Sequence, residues 1–236
     1  ILDYQVDGIV LASVAMSSML AERCDAAGIP VVLFNRAQQE DRFSTVTSDN
    51  FAGGRALAEF LVAGGHRRIG YIAGWEGAST QRDREAGFCA GLAAHGHKLF
   101  ARGVGDFRTE TAAKAARAMF SASEFPDAVF VANDHMAFAV IEELRGNLGL
   151  RVPEDVSVVG YDDVQLSRWS SFDLTTVRQP SGEMVAETVA ALMAQIEDGE
   201  TEPRRVKIDG PLVVRGSARR PADWKANWKE CDDERL

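Results

Sequence analysis

Short runs of apolar residues alternate along the chain with longer stretches in which apolar positions return every three or four residues. The first kind reads as strands and the second as helices. Val6 to Leu11, Pro30 to Phe34 and Ser44 to Thr47 are the first predicted strands. A helix from Ser17, stopped by Gly28, separates the first two. Another runs to about Ala63, burying Leu57, Phe60 and Leu61, and ends at Gly64-Gly65. Ile69 to Ala73, Ala128 to Ala132 and Val156 to Val159 continue the series, separated by helices carrying Phe88 and Leu92, then Ala113, Ala116 and Phe120, then Val140, Ile141 and Leu144. A long helix from Ser181 to Asp198 sets Val185, Val189, Leu192 and Ile196 at helical spacing, before late strands at Val206 to Ile208 and Leu212 to Val214. Strand and helix recur in units of ~25–35 residues, which predicts an α/β fold of parallel strands and crossover helices.

Composition narrows the class. With 236 residues, 46% of them hydrophobic, the chain can bury one large domain or two lobes. No apolar run reaches membrane-spanning length. A net charge of -9 argues against a broad nucleic-acid surface, and the basic clusters His66-Arg67-Arg68 and Arg219-Arg220 read as solvated strand ends. The opening ILDYQVDGIV has no signal-peptide pattern and reads as the interior of a longer protein. Cys24, Cys89 and Cys231 form no CxxC pair. The first two fall in apolar helical patterns and read as buried free thiols in a reducing cytosol.

In open α/β sheets ligands bind beyond the carboxyl ends of the strands. The residues there are Ser13, Asn35-Arg36, Asp49-Asn50, Gly74-Trp75 with Arg82 and Arg84 beyond, Asn133-Asp134 and Asp162-Asp163. A row of hydrogen-bonding groups backed by nearly uncharged strands suits a polar small ligand such as a sugar. Each Asp or Asn can equally cap the helix that follows it, Arg84 can be a solvated helix residue, and Phe107 a minor core contact. Catalytic patterns are missing: there is no GxSxG elbow, no Walker motif and no His spacing for a metal, and Gly103-Val104-Gly105 is only a fragment of a dinucleotide fingerprint. No enzyme activity, cofactor or metal is expected.

Nine stretches in order, VDGIVLAS, GIPVVLFNR, VTSDNFAGG, LVAGGHRRIGYIAG, RDREAGFCAGL, FVANDHMAFAVIEELR, VPEDVSVVGYDDV, LTTVRQP and LVVRGSARRP, resemble the effector-binding domain of the LacI/GalR (lactose-repressor/galactose-repressor) transcription regulators. The resemblance implies a periplasmic-binding-protein-like type I fold: two Rossmann-like lobes with parallel sheets and a ligand cleft. It implies one lobe of residues 1–65 plus 181–203, a second of 66–179 plus 204–221, and a tail at 222–236. In that family a helix-turn-helix headpiece and two βα units precede the stretch that VDGIVLAS resembles, so both are expected to lie outside this chain. The resemblance also implies a cytoplasmic homodimer that meets operator DNA through the headpiece, with a sugar as small-molecule effector and no membrane partner. Ligand-binding roles carry over to Asp49, Arg84, Phe107, Asn133, Asp162 and Gln179, while Asp163 is expected to be local and structural. A periplasmic sugar-binding protein of a transport system is the alternative within the same architecture.

Overall fold

The computed structural model describes residues 6–12, 17–36 and 42–222. Ser13, Cys231 and all but the first residue of the expected tail lie outside them. The chain forms two compact units, Ile1–Asp49 with Ala78–Thr80 and Pro180–Asp209, and Asn50–Gly77 with Gln81–Gln179 and Gly210–Leu236.

The first unit holds a four-stranded sheet in the order β1 (Ile9–Leu11), β2 (Val31–Phe34), β3 (Ser44–Ser48) and β9 (Arg205–Ile208), every pair parallel. α1 (Ser17–Ala26) buries Ala21 and Cys24 against Val31, Leu33 and Phe43. α6 (Ser181–Glu197) buries Met184, Thr188 and Ala191, with Met184 and Ala191 packing on Val32 and Val46.

The second unit is larger. Its sheet runs β10 (Leu212–Val213), β8 (Thr175–Arg178), β7 (Ser157–Asp162), β6 (Ala128–Val131), β4 (Ile69–Ala73), β5 (Ala101–Val104), parallel except for the β10–β8 edge pair. Helices α2 (Asn50–Ala63), α3 (Ser79–Ala94), α4 (Thr109–Phe120) and α5 (Asp134–Glu142) accompany it, and α5 runs on into a π-helical turn at Glu143–Asn147. β4, β6 and β7 are buried almost throughout because helices cover both faces, as parallel sheets require. Tyr71, Phe88 and Phe130 pack ring on ring at 5.0 to 5.9 Å in the centre of this core.

Two boundaries differ from the expectation. The helix at 50–63, expected in the first lobe, packs on β8 and β10 and belongs to the second unit. Residues 205–208, expected in the second lobe, form β9 beside β3 because their parallel register with Thr45 to Ser48 completes the first sheet. Two strands were also not expected. β5 reads Ala-Arg-Gly-Val and lies at a sheet edge with alternating exposure. β8 reads Thr-Thr-Val-Arg, yet Thr175 and Thr176 are fully buried. Their hydroxyls donate to the Arg215 carbonyl at 3.0 Å and to Asp134 at 2.7 Å, which is how a polar strand sits in a core.

Candidate functional site

Within the second unit β5 lies beside β4 on one side and β6, β7 and β8 follow on the other. This is the doubly wound order whose direction reverses between β4 and β6, and a crevice opens at the carboxyl end of such a reversal. The polar strand-end residues gather at that end.

Arg84, on α3, is 3% exposed. Its Nε donates to Asn50 Oδ1 at 2.8 Å, Nη1 to the Ala132 carbonyl at 2.6 Å and Nη2 to Asp162 Oδ1 at 3.0 Å. The guanidinium carbon lies 3.7 Å from the centre of the Tyr161 ring. Three of its five N–H donors are thus committed, and the π face below satisfies the charge where water cannot. The helix crossing that brings Arg84 and Asn50 together depends on glycines. A Cβ on Gly54 would collide with the Arg84 carbonyl, and one on Gly87 with the Phe51 carbonyl. Gly53 and Gly54 cost helix propensity but let α2 lie directly against α3.

Asp162 ends β7. Its Oδ1 also accepts from Gln179 Nε2 at 2.6 Å, just beyond β8, so Arg84, Asp162 and Gln179 form one hydrogen-bonded row. Asn133 is the N-cap of α5: its Oδ1 accepts from Met136 N–H at 3.0 Å, which does not engage the amide nitrogen. Asp163 turns the other way. Its side chain is buried and receives Arg178 Nε and Arg215 Nη2, each at 2.6 Å, a structural anchor for β8 and the last strand.

Two of these residues stand in unusual backbone. Asp162 has φ 121° and Asp163 55°. Asp106 and Phe107 have φ 56° and 55°, and the Arg108 N–H donates to the Gly105 carbonyl at 2.9 Å, closing a turn with two left-handed central residues. Such turns favour Asn-Gly or Asp-Gly, so a Phe at the second position carries strain of roughly 1–3 kcal/mol. The strain holds the Phe107 ring over Gly74, where any Cβ would meet it. Left-handed non-glycine residues cluster at sites where geometry matters more than stability.

Asp134, one of the strand-end residues that could equally cap a helix, proves to be a core group. It is fully buried at the start of α5 and accepts from Val164 N–H, Ser167 Oγ and Thr176 Oγ1 at 3.0, 2.7 and 2.7 Å. Burial, reinforced by the nearby Asp162 charge, pushes its carboxyl up to about 6 against those hydrogen bonds. Its only signal was an acid in the first helical turn, which reads as a cap. Asp49 follows β3 in the first unit, where its N–H donates to the Ile208 carbonyl at 2.8 Å. Among the described residues no cluster of His, Cys, Asp or Glu could hold a metal ion, and no helix is long and apolar enough to cross a membrane.

The row is acceptor-rich at Asp162 and donor-rich at Arg84 and Gln179, and Asn133 and Phe107 follow neighbouring strands at the same sheet end, a set that suits a neutral hydroxyl-rich ligand. The sequence profile of the periplasmic binding protein-like domain matches residues 58–218. The HTH-type transcriptional regulator CelR of Thermobifida fusca is 37% identical over 216 residues, 90% of this chain and 63% of that protein. The HTH-type transcriptional repressor PurR of Photobacterium profundum is 30% identical over 218 residues, 91% of this chain and 65% of that protein. The solved transcriptional regulator CelR–cellobiose complex superposes with a TM-score of 0.84 at 36% identity, covering 91% of this chain and 66% of that one. The chain therefore spans a little under two thirds of the length of these relatives. It belongs to the periplasmic binding protein-like domain family, and over nine-tenths of its length it is similar to the corresponding part of these transcriptional regulators.

Proposed function

We propose that the chain is the sugar-sensing core of a transcriptional regulator, in which a small effector controls operator binding by a helix-turn-helix headpiece outside this chain. The observation that carries the reading is the Arg84–Asp162–Gln179 row, held rigid by Asn50, the Ala132 carbonyl and the Tyr161 ring. Asp162 accepts ligand hydroxyls, Arg84, Asn133 and Gln179 donate, and Phe107 offers a ring face. A hydrogen bond to a charged partner contributes roughly 1.5–3 kcal/mol, so a few of them reach about micromolar affinity.

The effector acts by favouring one arrangement of the core, with coupling of typically ~1–3 kcal/mol. The regulator works in the cytoplasm as a homodimer, matching the two-fold symmetry of operators. The transcriptional regulators among its relatives favour this reading over a transport-system binding protein. Because the CelR structure holds cellobiose, glucose disaccharides are the first candidates. Calorimetry of the chain against a panel of mono- and disaccharides and a purine base tests the proposal. One sugar should bind at about micromolar level, and Asp162→Asn should weaken it at least tenfold. A panel that binds nowhere, or binds Asp162→Asn undiminished, overturns it.

A further inference from the structure

The strand ends of the second unit fall in the order Phe107 beyond β5, Gly74-Trp75 beyond β4, Asn133 beyond β6, Asp162 at the end of β7 and Gln179 beyond β8. Hydrogen-bonding groups therefore occupy the β6–β8 side and aromatic groups the β4–β5 side. Trp75 follows β4 at the reversal of strand order, where folds of this kind bind their ligands, and the hydrogen-bonded row does not use it.

Trp75 is 41% exposed, yet its loop is fixed on all sides. The Gly74 N–H donates to Gln81 Oε1 at 2.7 Å, and Arg82 Nη1 donates to the Gly77 carbonyl at 3.1 Å. Arg102 pairs with Glu76 at 2.8 Å and with Glu85 at 2.6 Å, tying the loop to β5 and α3. A Cβ on Gly77 would run into the six-membered ring of the indole, so glycine lets the ring lie along the chain. On the other side of the loop the Phe107 ring closes on Gly74. A large apolar ring held in place and left open to solvent is preorganised for contact, because little freedom remains to be lost on binding.

We infer that Trp75 is a platform for the second ring of a disaccharide effector whose first ring is held by Arg84 and Asp162; this rests on the sugar-sensing reading above. β7 and β4 are two strand steps apart, about 10 Å at ordinary spacing, which one pyranose does not bridge and two linked pyranoses do. The apolar C–H face of the far ring stacks on the indole, whose negative π face attracts it. Trp75 thus sets the preference for a disaccharide over a monosaccharide.

The test titrates cellobiose, maltose, lactose, glucose and galactose into the chain and its Trp75→Ala, Trp75→Phe and Asp162→Asn variants by calorimetry, following indole emission in parallel. The wild type should bind its preferred disaccharide at least about tenfold more tightly than the component monosaccharides. Trp75→Ala should erase that preference without weakening the monosaccharide, and Trp75→Phe should keep most of it while losing the ligand-induced change in emission. A disaccharide preference that survives in Trp75→Ala, or an emission change that survives in Trp75→Phe, overturns the assignment. If Asp162→Asn loses both sugars while Trp75→Ala keeps the preference, the Trp75 platform alone falls. If the wild type binds no sugar, or Asp162→Asn binds all as tightly as wild type, the sugar-sensing reading falls and the platform with it.

Discussion

The two units solve the same folding problem to different degrees. In the second, one continuous core links α2, both faces of a six-stranded sheet and α5, and contains the largest buried side chains, among them Tyr71, Phe88, Phe130 and Tyr161. In the first, the buried residues fall into two smaller clusters on either face of four strands. α6 there leaves Val185, Val189 and Met193 at 52%, 53% and 40% exposure. The polar row is built on the densely packed unit. A buried guanidinium keeps one geometry only where close packing excludes water, and left-handed turns at Phe107 and Asp162 persist only where the surroundings over-determine them.

The comparison breaks most visibly at Arg84. Arg84→Ala takes the cation from Asp162 and one donor each from Asn50 and the Ala132 carbonyl, and should cost about 3–5 kcal/mol in urea unfolding. Val189→Ser on α6 of the first unit should fall within about 0.5 kcal/mol. Equal effects would mean that the row is not the rigid part of the molecule.

Acid should sharpen the picture. His66 is 1% exposed, and Arg219 Nη2 lies 2.8 Å from its Nδ1, which therefore accepts and carries no proton. Burial and the Arg219 charge lower the imidazole to about 4, although Asp127 at 3.4 Å acts the other way. A neutral folded histidine and a charged unfolded one mean that its stabilisation is present above pH 6.5 and is lost as pH falls toward about 4. Asp134 has the opposite sign: protonated longer in the folded state, it lets stability fall as pH rises from 3.8 to about 6. Relative to wild type, His66→Gln should remove a rising limb on the order of a few kcal/mol from stability measured between pH 4 and 6.5. Asp134→Asn should remove a falling one. A wild-type profile in both variants would contradict these environments.

A small effect on stability, and a large one on binding, belongs to Phe107→Gly. Glycine relaxes the left-handed turn while giving up a half-buried ring, so the unfolding free energy should move little, within about 1 kcal/mol. Sugar affinity should drop at least tenfold. A stability loss of several kcal/mol without a binding defect would make Phe107 a core residue.

Most of the strands and helices were legible because their apolar periods were strong. Ile69 to Ala73 forms a strand over those very residues, and Gly28, Gly65, Gly96 and Gly199 end helices with positive φ as turn chemistry requires. β5 and β8 were not legible. One is an edge strand with little apolar content, and the other buries threonines whose partners lie 40 or more residues away. The apolar spacing of α6 was real, but Val185 and Val189 lie on its exposed side. Period fixes that a helix is amphipathic without saying which neighbour covers which stripe.

At the site, sequence and resemblance named Arg84, Asn133, Asp162, Gln179 and Phe107, and separated Asp162 from Asp163. Three-dimensional packing decided what they do to one another. Asn50 holds Arg84, Tyr161 lies beneath the guanidinium, and Asp134 is a buried acid rather than a surface cap. Local order determined the elements, because hydrophobic period, glycine stops and capping residues act within a few positions of the chain. The partners of a buried charge are spread over 34 to 78 positions at Arg84, and only the crossing of α2 on α3 and the order of the strands bring them into contact.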